Sequence, residues 1–262
     1  MILEIYRDSI PYSIKEKAIL IKLGIITILG FLIVPIVFLF GYSYRIIQIG
    51  LNGVLLENED PLASFGNLKL MFIQGLKMIF VLFVYSFLSI IVSILAIFRF
   101  NLVEFTHFFS SFKIDFQLDF GLGLIVLLFV VWFITFTFAS TAISHMINRG
   151  SLNTAFKFTE ILTIIKHVQV FEYFKFFISF IVLSFSFFIV GILATELIFN
   201  ILNILALNLF NFTFKGSYSV FLTLDIFFII NSFILIPIFL IVESRANSFI
   251  YNDDALIEED SY

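Results

Sequence analysis

Glu196, Asn200 and Asn203 recur at i, i+4 and i+7, which puts one carboxylate and two carboxamides on the same face of a helix. Asp225 and Asn231 follow in the next apolar run. Ionisable groups at membrane depth are costly, and where they persist they serve proton or ion pathways, so these five residues form the candidate polar intramembrane site. The plainer alternative makes them structural, because Glu196 ends its apolar run, Asp225 lies near one end of its own, and no Lys or Arg stands inside either run as a partner. His107, His145 and His167 are scattered without metal-ligand spacing. Gly121-Leu122-Gly123 opens an apolar stretch and is no phosphate loop, and no nucleophile-elbow, Walker or zinc-protease pattern occurs. The chain has no cysteine, so disulfides, thiolate metal sites and cysteine nucleophiles are excluded. The sequence nominates no catalytic residue, cofactor or metal, and the expectation is a protein that is not an enzyme.

The elements carrying these residues are long and greasy. Residues 23–44, 78–98, 120–144 and 176–195 are uncharged runs of 22, 21, 25 and 20 residues. A spanning helix needs about 20 apolar residues to cross about 30 Å of hydrocarbon. A fifth run, 216–242, carries Asp225, whose cost of about 2.5–3.5 kcal/mol is outweighed by many residues worth roughly 0.3–0.6 kcal/mol each. Leu197–Phe214 is also uncharged, but Ala194-Thr195-Glu196 supplies no Gly or Pro for a hairpin, so the fourth helix is expected to run on past Glu196. The reading is a single all-α integral membrane domain over 1–262. It is a polytopic bundle of about five spans (23–44, 78–98, 120–144, 176–200 and 218–242), with six as the alternative and an acidic tail at 243–262. Pro35 and Pro237 are expected to kink the first and last spans.

Two connections carry amphipathic patterns that predict membrane-surface helices. In one, Ala155, Phe158, Leu162, Ile165 and Val168 oppose Lys157, Glu160, Thr163 and His167. In the other, Ile47, Leu51 and Leu55 oppose Arg45, Gln48 and Asn52. The stripes Ser86, Ser89, Ser93, Ala96 and Thr137, Ser140, Thr141, Ser144 mark faces where helices approach closely. At 61% hydrophobic and 13% charged, the chain is richer in apolar residues than a soluble core can hide, and its net charge of −4 offers nothing to nucleic acid. The implied partners are the lipid bilayer and another membrane protein or a second copy. With five crossings, Lys and Arg divide seven to eight between the two sides, and the positive-inside rule gives no orientation.

Gly41-Tyr42-Ser43-Tyr44-Arg45, Leu51-Asn52-Gly53 and Phe72-Ile73-Gln74-Gly75-Leu76-Lys77 form a pattern that resembles domain-of-unknown-function family 4013, mostly archaeal multi-pass membrane proteins. Gly150 and Ala155-Phe156-Lys157-Phe158-Thr159-Glu160 continue the likeness. The chain departs from it at Phe65-Gly66-Asn67-Leu68, where family members tend to carry acidic residues and a Trp. The resemblance implies membrane topology and an archaeal source, and no activity. On residues and resemblance together, the expectation is a non-enzymatic protein of the cell membrane that organises the membrane or interacts with lipid or a partner. The alternative is a small transporter or channel subunit using Glu196 and Asp225.

Overall fold

A computed structural model describes residues 2–53, 61–107, 115–214 and 217–252. The acidic cluster Asp253, Asp254, Glu258, Glu259 and Asp260 lies outside them. The chain folds as α1 (Ile2–Ser13), α2 (Lys17–Ile28), α3 (Ile33–Asn52), α4 (Leu68–His107), α5 (Asp115–Arg149), α6 (Phe158–Val168), α7 (Val170–Phe210), α8 (Ser217–Ile230) and α9 (Ile236–Tyr251). Among the described residues, five stretches are long and apolar enough to cross a membrane: Ile33–Asn52, Leu68–Ala96, Ile125–Arg149, Val170–Phe210 and Tyr218–Tyr251. The protein is an all-α membrane bundle, as its charge-free runs predict.

The first uncharged run is not one helix. A 3-10 turn at Leu29–Phe31 and an extended Leu32 interrupt it. Pro35 falls in the first turn of α3, where its missing N–H has no intrahelical partner to lose, so it starts a helix instead of kinking one. The chain also reverses here. α2 begins directly after α1, which packs on α9 near its C-terminus, and α3 finishes beside the same terminus, where the Asn252 carboxamide donates to the Leu51 carbonyl at 3.2 Å. α2, with 12 residues and so about 18 Å, is too short to cross, and it descends against α3 as half of a hairpin. One end of the bundle therefore gathers α1, both ends of the α2–α3 hairpin, the start of α4, the α5–α6–α7 turn and the C-terminus of α9. We call it the closed end, and the opposite one the distal end.

The last span also departs from a simple kink. α8 passes into α9 through a π-helical segment, Asn231–Leu235. Pro237 has no N–H for the carbonyl of Phe233, four residues earlier, and widening the turn lets the helix continue. Gly24 of α2 lies against that carbonyl: a Cβ there would be 2.5 Å from the Phe233 oxygen, so only glycine admits the approach. The helix continues beyond residue 242 to Tyr251 and buries Ser244, Arg245, Ala246 and Ser248, so these residues belong to the bundle and not to a tail beginning at 243.

α3 is the centre of the bundle, with half of its span buried against 17% for α4 and 17% for α7. Its crossing with α4 is a glycine contact, where a Cβ on Gly75 would meet the Val37 carbonyl oxygen at 1.9 Å and one on Gly41 the Met71 carbonyl oxygen at 2.0 Å. Lipid tails are as apolar as Leu, so helices associate through such close backbone contact and through polar side chains. The α4–α5 seam uses the second device. Ser89 bonds Thr135, and the Trp132 indole N–H donates to Ser93 at 3.0 Å. Thr141 joins α5 to Tyr173 of α7 at 2.8 Å. Ser89, Ser93 and Thr141 of the hydroxyl stripes are helix contacts. α6 forms as predicted but turns Ile161, Ile165 and Val168 inward, leaving Phe158 and Leu162 exposed. α7 runs unbroken past Glu196 to Asn211, whose left-handed conformation ends it.

Candidate functional site in the bundle interior

Among the spans lies a cavity of about 450 Å³ to which all five contribute wall. Its sides are apolar, with Ile47, Leu82, Phe136, Ile143, Phe176 and Phe239 prominent. The rim residues Trp132 and Ile236 are 40% and 41% exposed, whereas Ile47, Ile143 and Phe176 at the inner end are buried. The cavity thus opens sideways, towards lipid, and deepens towards the closed end. At that inner end α9 supplies Glu243, Ser244 and Asn247, α3 supplies Ser43, and α5 supplies Ser140. Ser43 and Ser244 bond to each other, and the Asn247 amide N–H reaches the Ser140 carbonyl at 3.5 Å. The Asn247 Oδ1 is buried and has no hydrogen-bond partner, an unsatisfied acceptor on a residue of the cavity lining.

α1 covers this polar end from outside. The Tyr6 hydroxyl donates to Glu243 Oε1 at 3.2 Å. Burial, and then the neighbouring Glu243, push the Tyr6 phenol far above the ordinary tyrosine range, so it stays a donor. Two residues on, Asp8 accepts from the Arg245 Nε at 2.5 Å, both side chains being buried. The guanidinium also lies over the Tyr12 ring at 4.0 Å and the Phe249 ring at 4.9 Å. Arg245 is therefore committed to α1 and its aromatic neighbours, and among the described residues no cationic side chain lines the cavity.

The five residues singled out by spacing do not converge. Glu196, Asn200 and Asp225 are exposed on the outer faces of the α7–α8 hairpin, and neither acid makes a hydrogen bond or ion pair among the described residues. The Asn203 Oδ1 accepts from the Phe214 N–H at 3.0 Å and closes the hairpin turn. Asn231 donates to the Phe227 carbonyl at 2.8 Å and packs against Gly191. It lines a smaller cavity of about 190 Å³.

The residues that carried the family likeness hold the closed end together. Gly41 and Gly75 are the α3–α4 crossing, and Tyr44 is buried beside it. Arg45 donates to the carbonyls of Ser64 and Gly66 at 2.6 Å each, to that of Asn67 at 3.1 Å and to Gln74 at 3.0 Å, binding the α3–α4 connection to α3. The Asn52 amide donates to the Gln48 carbonyl at 3.0 Å, and Gly53 ends α3. Gly150, at φ +68°, ends α5 in the left-handed conformation that glycine tolerates. Phe156 stacks on Tyr85 at 6.2 Å. Glu160 accepts from Lys157 at 2.8 Å and pairs with the buried His145 at 3.0 Å, whose other nitrogen meets the Tyr251 hydroxyl at 2.8 Å. Hydrogen bonds from Lys157 and His145 hold the Glu160 carboxyl below the ordinary carboxylate range. Spacing alone missed Glu243, Asn247, Asp8 and Arg245. The signal present was a tail segment, 243–251, rich in small and apolar residues after its first charge.

Comparison with curated proteins and with solved structures gives no match. A family profile described as a protein of unknown function, DUF4013, matches residues 25–199, from the end of α2 to within α7. On the evidence of that match, over more than half its length, the chain belongs to the DUF4013 family of proteins of unknown function.

Proposed function

We propose that this is a non-enzymatic multi-pass protein of the cell membrane that holds a lipid-like amphiphile inside its bundle. The observation that carries this reading is the cavity itself, whose 450 Å³ falls within the roughly 300–1,000 Å³ usual for small-molecule sites. Protein interiors pack to crystal-like density and leave few voids larger than a water molecule. In a chain with 40 Phe, the small residues Ser43, Ala139, Ser140 and Ser244 stand where larger ones would fill the space. The apolar walls suit an alkyl chain, the inner end suits a polar head, and the lipid-facing rim gives a lateral entrance.

The fold also supports an orientation. Because α2 and α3 form a hairpin, Arg7, Lys15, Lys17 and Lys22 join the positive residues at the closed end and raise their number to twelve of the chain's fifteen. The positive-inside rule then places the closed end in the cytoplasm. A cysteine introduced at the exposed Asn153 is expected to react with an impermeant maleimide only after the cells are opened, and labelling of intact cells would reverse the assignment.

Ala139, 5% exposed in the cavity wall, gives the test of lipid binding. Protein purified from its native membrane should carry an extractable lipid at close to one per chain by mass spectrometry. Ala139→Phe, which fills the chamber, should lose that lipid while keeping the melting temperature of the unmodified protein within a few degrees. Equal retention by the two proteins would remove the cavity from consideration.

A further inference from the structure

The polar end of the cavity is an array of acceptors. Glu243 brings a carboxyl of which Tyr6 engages Oε1, and Asn247 brings a buried Oδ1 with no partner. The Ser43–Ser244 pair and Ser140 add hydroxyls. Among the described residues no Lys or Arg is in the lining, and Arg245, two residues from Glu243 and from Asn247, is engaged by Asp8, Tyr12 and Phe249. A phosphate or carboxylate head would meet a carboxyl and an orphan carbonyl oxygen in a water-poor chamber with no countercharge, which is repulsive and leaves its desolvation uncompensated. A head that donates hydrogen bonds meets the opposite situation, because each N–H or O–H finds an acceptor already in place.

The shape adds a second constraint. The smaller cavity beside Asn231 shares two walls, Ile236 and Phe239, with the larger one. The Phe239 ring stands between them, 5.6 Å from Phe180 on one side and 5.7 Å from Phe187 on the other. Rotation of that one ring would join them into a channel along α9 from Glu243 to Asn231, twelve residues and about 18 Å apart. Such a channel accepts one extended alkyl chain, lying parallel to the lipids outside.

From this juxtaposition, and resting on the lipid-holding reading above, we propose that the occupant is a long single-chain amphiphile whose head donates hydrogen bonds and bears no negative charge, an amine or an alcohol. The head sits between Glu243 and Asn247, and the tail runs past Trp132 towards Asn231. No bond is made or broken.

Trp132 is the only tryptophan in the chain and lines the cavity, so its emission reports occupancy directly. Full-length protein in phosphatidylcholine nanodiscs is titrated with tetradecylamine, tetradecanol and tetradecyl phosphate, each brominated at mid-chain to quench a ring it touches. The amine and the alcohol are expected to quench Trp132 saturably, at concentrations at least about tenfold below those needed for the phosphate. Glu243→Gln, which keeps an acceptor for Tyr6 but has no ionisable carboxyl to pair with an amine, should weaken the amine about tenfold and leave the alcohol within about twofold. Equal quenching by the phosphate, or an unchanged amine affinity in Glu243→Gln, would overturn the head-group assignment. If no probe quenches while Ala139→Phe still displaces a native lipid, the head-group proposal fails and lipid binding stands; if no native lipid is present either, both fall.

Discussion

The closed and distal ends of this molecule are built from the same apolar vocabulary and are held in different ways. At the closed end α3 touches α4 through paired glycines, α1 reaches α9 through a buried ion pair, and Arg45 and Glu160 fasten the two long connections. At the distal end the α7–α8 hairpin presents Phe185, Leu193, Leu197, Leu209 and Phe221 outward, and the Asn203 Oδ1 closes its turn by accepting from the Phe214 N–H. In lipid, apolar side chains give no preference for protein over solvent. The position of small and polar residues therefore decides which surfaces face protein, and phenylalanine content does not.

The sharpest way to break this contrast is to add a side chain at each end. Gly75→Val places carbon atoms against the backbone of Val37, where an ideal Cβ would lie at 1.9 Å, and the carbonyl cannot yield without moving α3. The expected loss is at least about 3 kcal/mol, the upper range for overpacking, seen as failure to purify as a monodisperse species or as a collapsed melting temperature. Gly123 has nothing within 4 Å of its would-be Cβ, so Gly123→Ala should be neutral or stabilise the helix by up to about 1 kcal/mol. Equal damage from both changes would show that the ends are packed alike.

Charge gives the second comparison. Removing one partner of a buried pair leaves an uncompensated charge, so Asp8→Asn is expected to cost about 3–5 kcal/mol in detergent unfolding. Replacing both, Asp8→Leu with Arg245→Met, should recover much of that loss. Glu196 and Asp225 are exposed and without such partners, so Glu196→Gln with Asp225→Asn should stay within about 0.5 kcal/mol of the parent and leave ion flux through reconstituted vesicles unchanged. A flux change in that double variant would restore the transport reading of the sequence.

Those four residues show what sequence reasoning reaches. The spans were legible because charge-free length is a local property, and α7 could be followed past Glu196 because no turn residue interrupts it. The break after Ile28 left a weaker signal: Gly30 and Pro35 are ordinary in a membrane helix, and only the docking of α1 on α9 shows that the chain turns back. Glu196 and Asp225 drew attention as acids flanked by long apolar stretches, yet spacing fixes which residues share a face and not whether that face meets protein. Arg245 and Glu243 looked like the start of a solvated tail for the same reason, since Asp8 and Tyr6 lie more than two hundred residues away in sequence. The family-like glycines were recognisable as a pattern before their reason, a crossing too close for a Cβ, could be seen.

The smallest expected effect concerns the surface helix α6. Glu160 is faced by the Lys157 ammonium and the His145 imidazole, with Tyr251 behind the ring, and hydrogen bonds from the first two hold its carboxyl low. A carboxyl whose pKa is lower folded than unfolded contributes stability above the ordinary value, and that contribution disappears as pH falls through the lowered one. A spin label on Leu162→Cys, in a chain with no native thiol, should show α6 docked unchanged down through the ordinary carboxylate range near pH 4.3 and released only below it. Glu160→Gln, which mimics the protonated carboxyl, should remove the acid-dependent step and show at neutral pH the released α6 that the parent shows only in acid. Release centred at or above the ordinary value, or a step that survives in Glu160→Gln, would mean that the buried apolar face and not the carboxyl governs how α6 sits on the closed end.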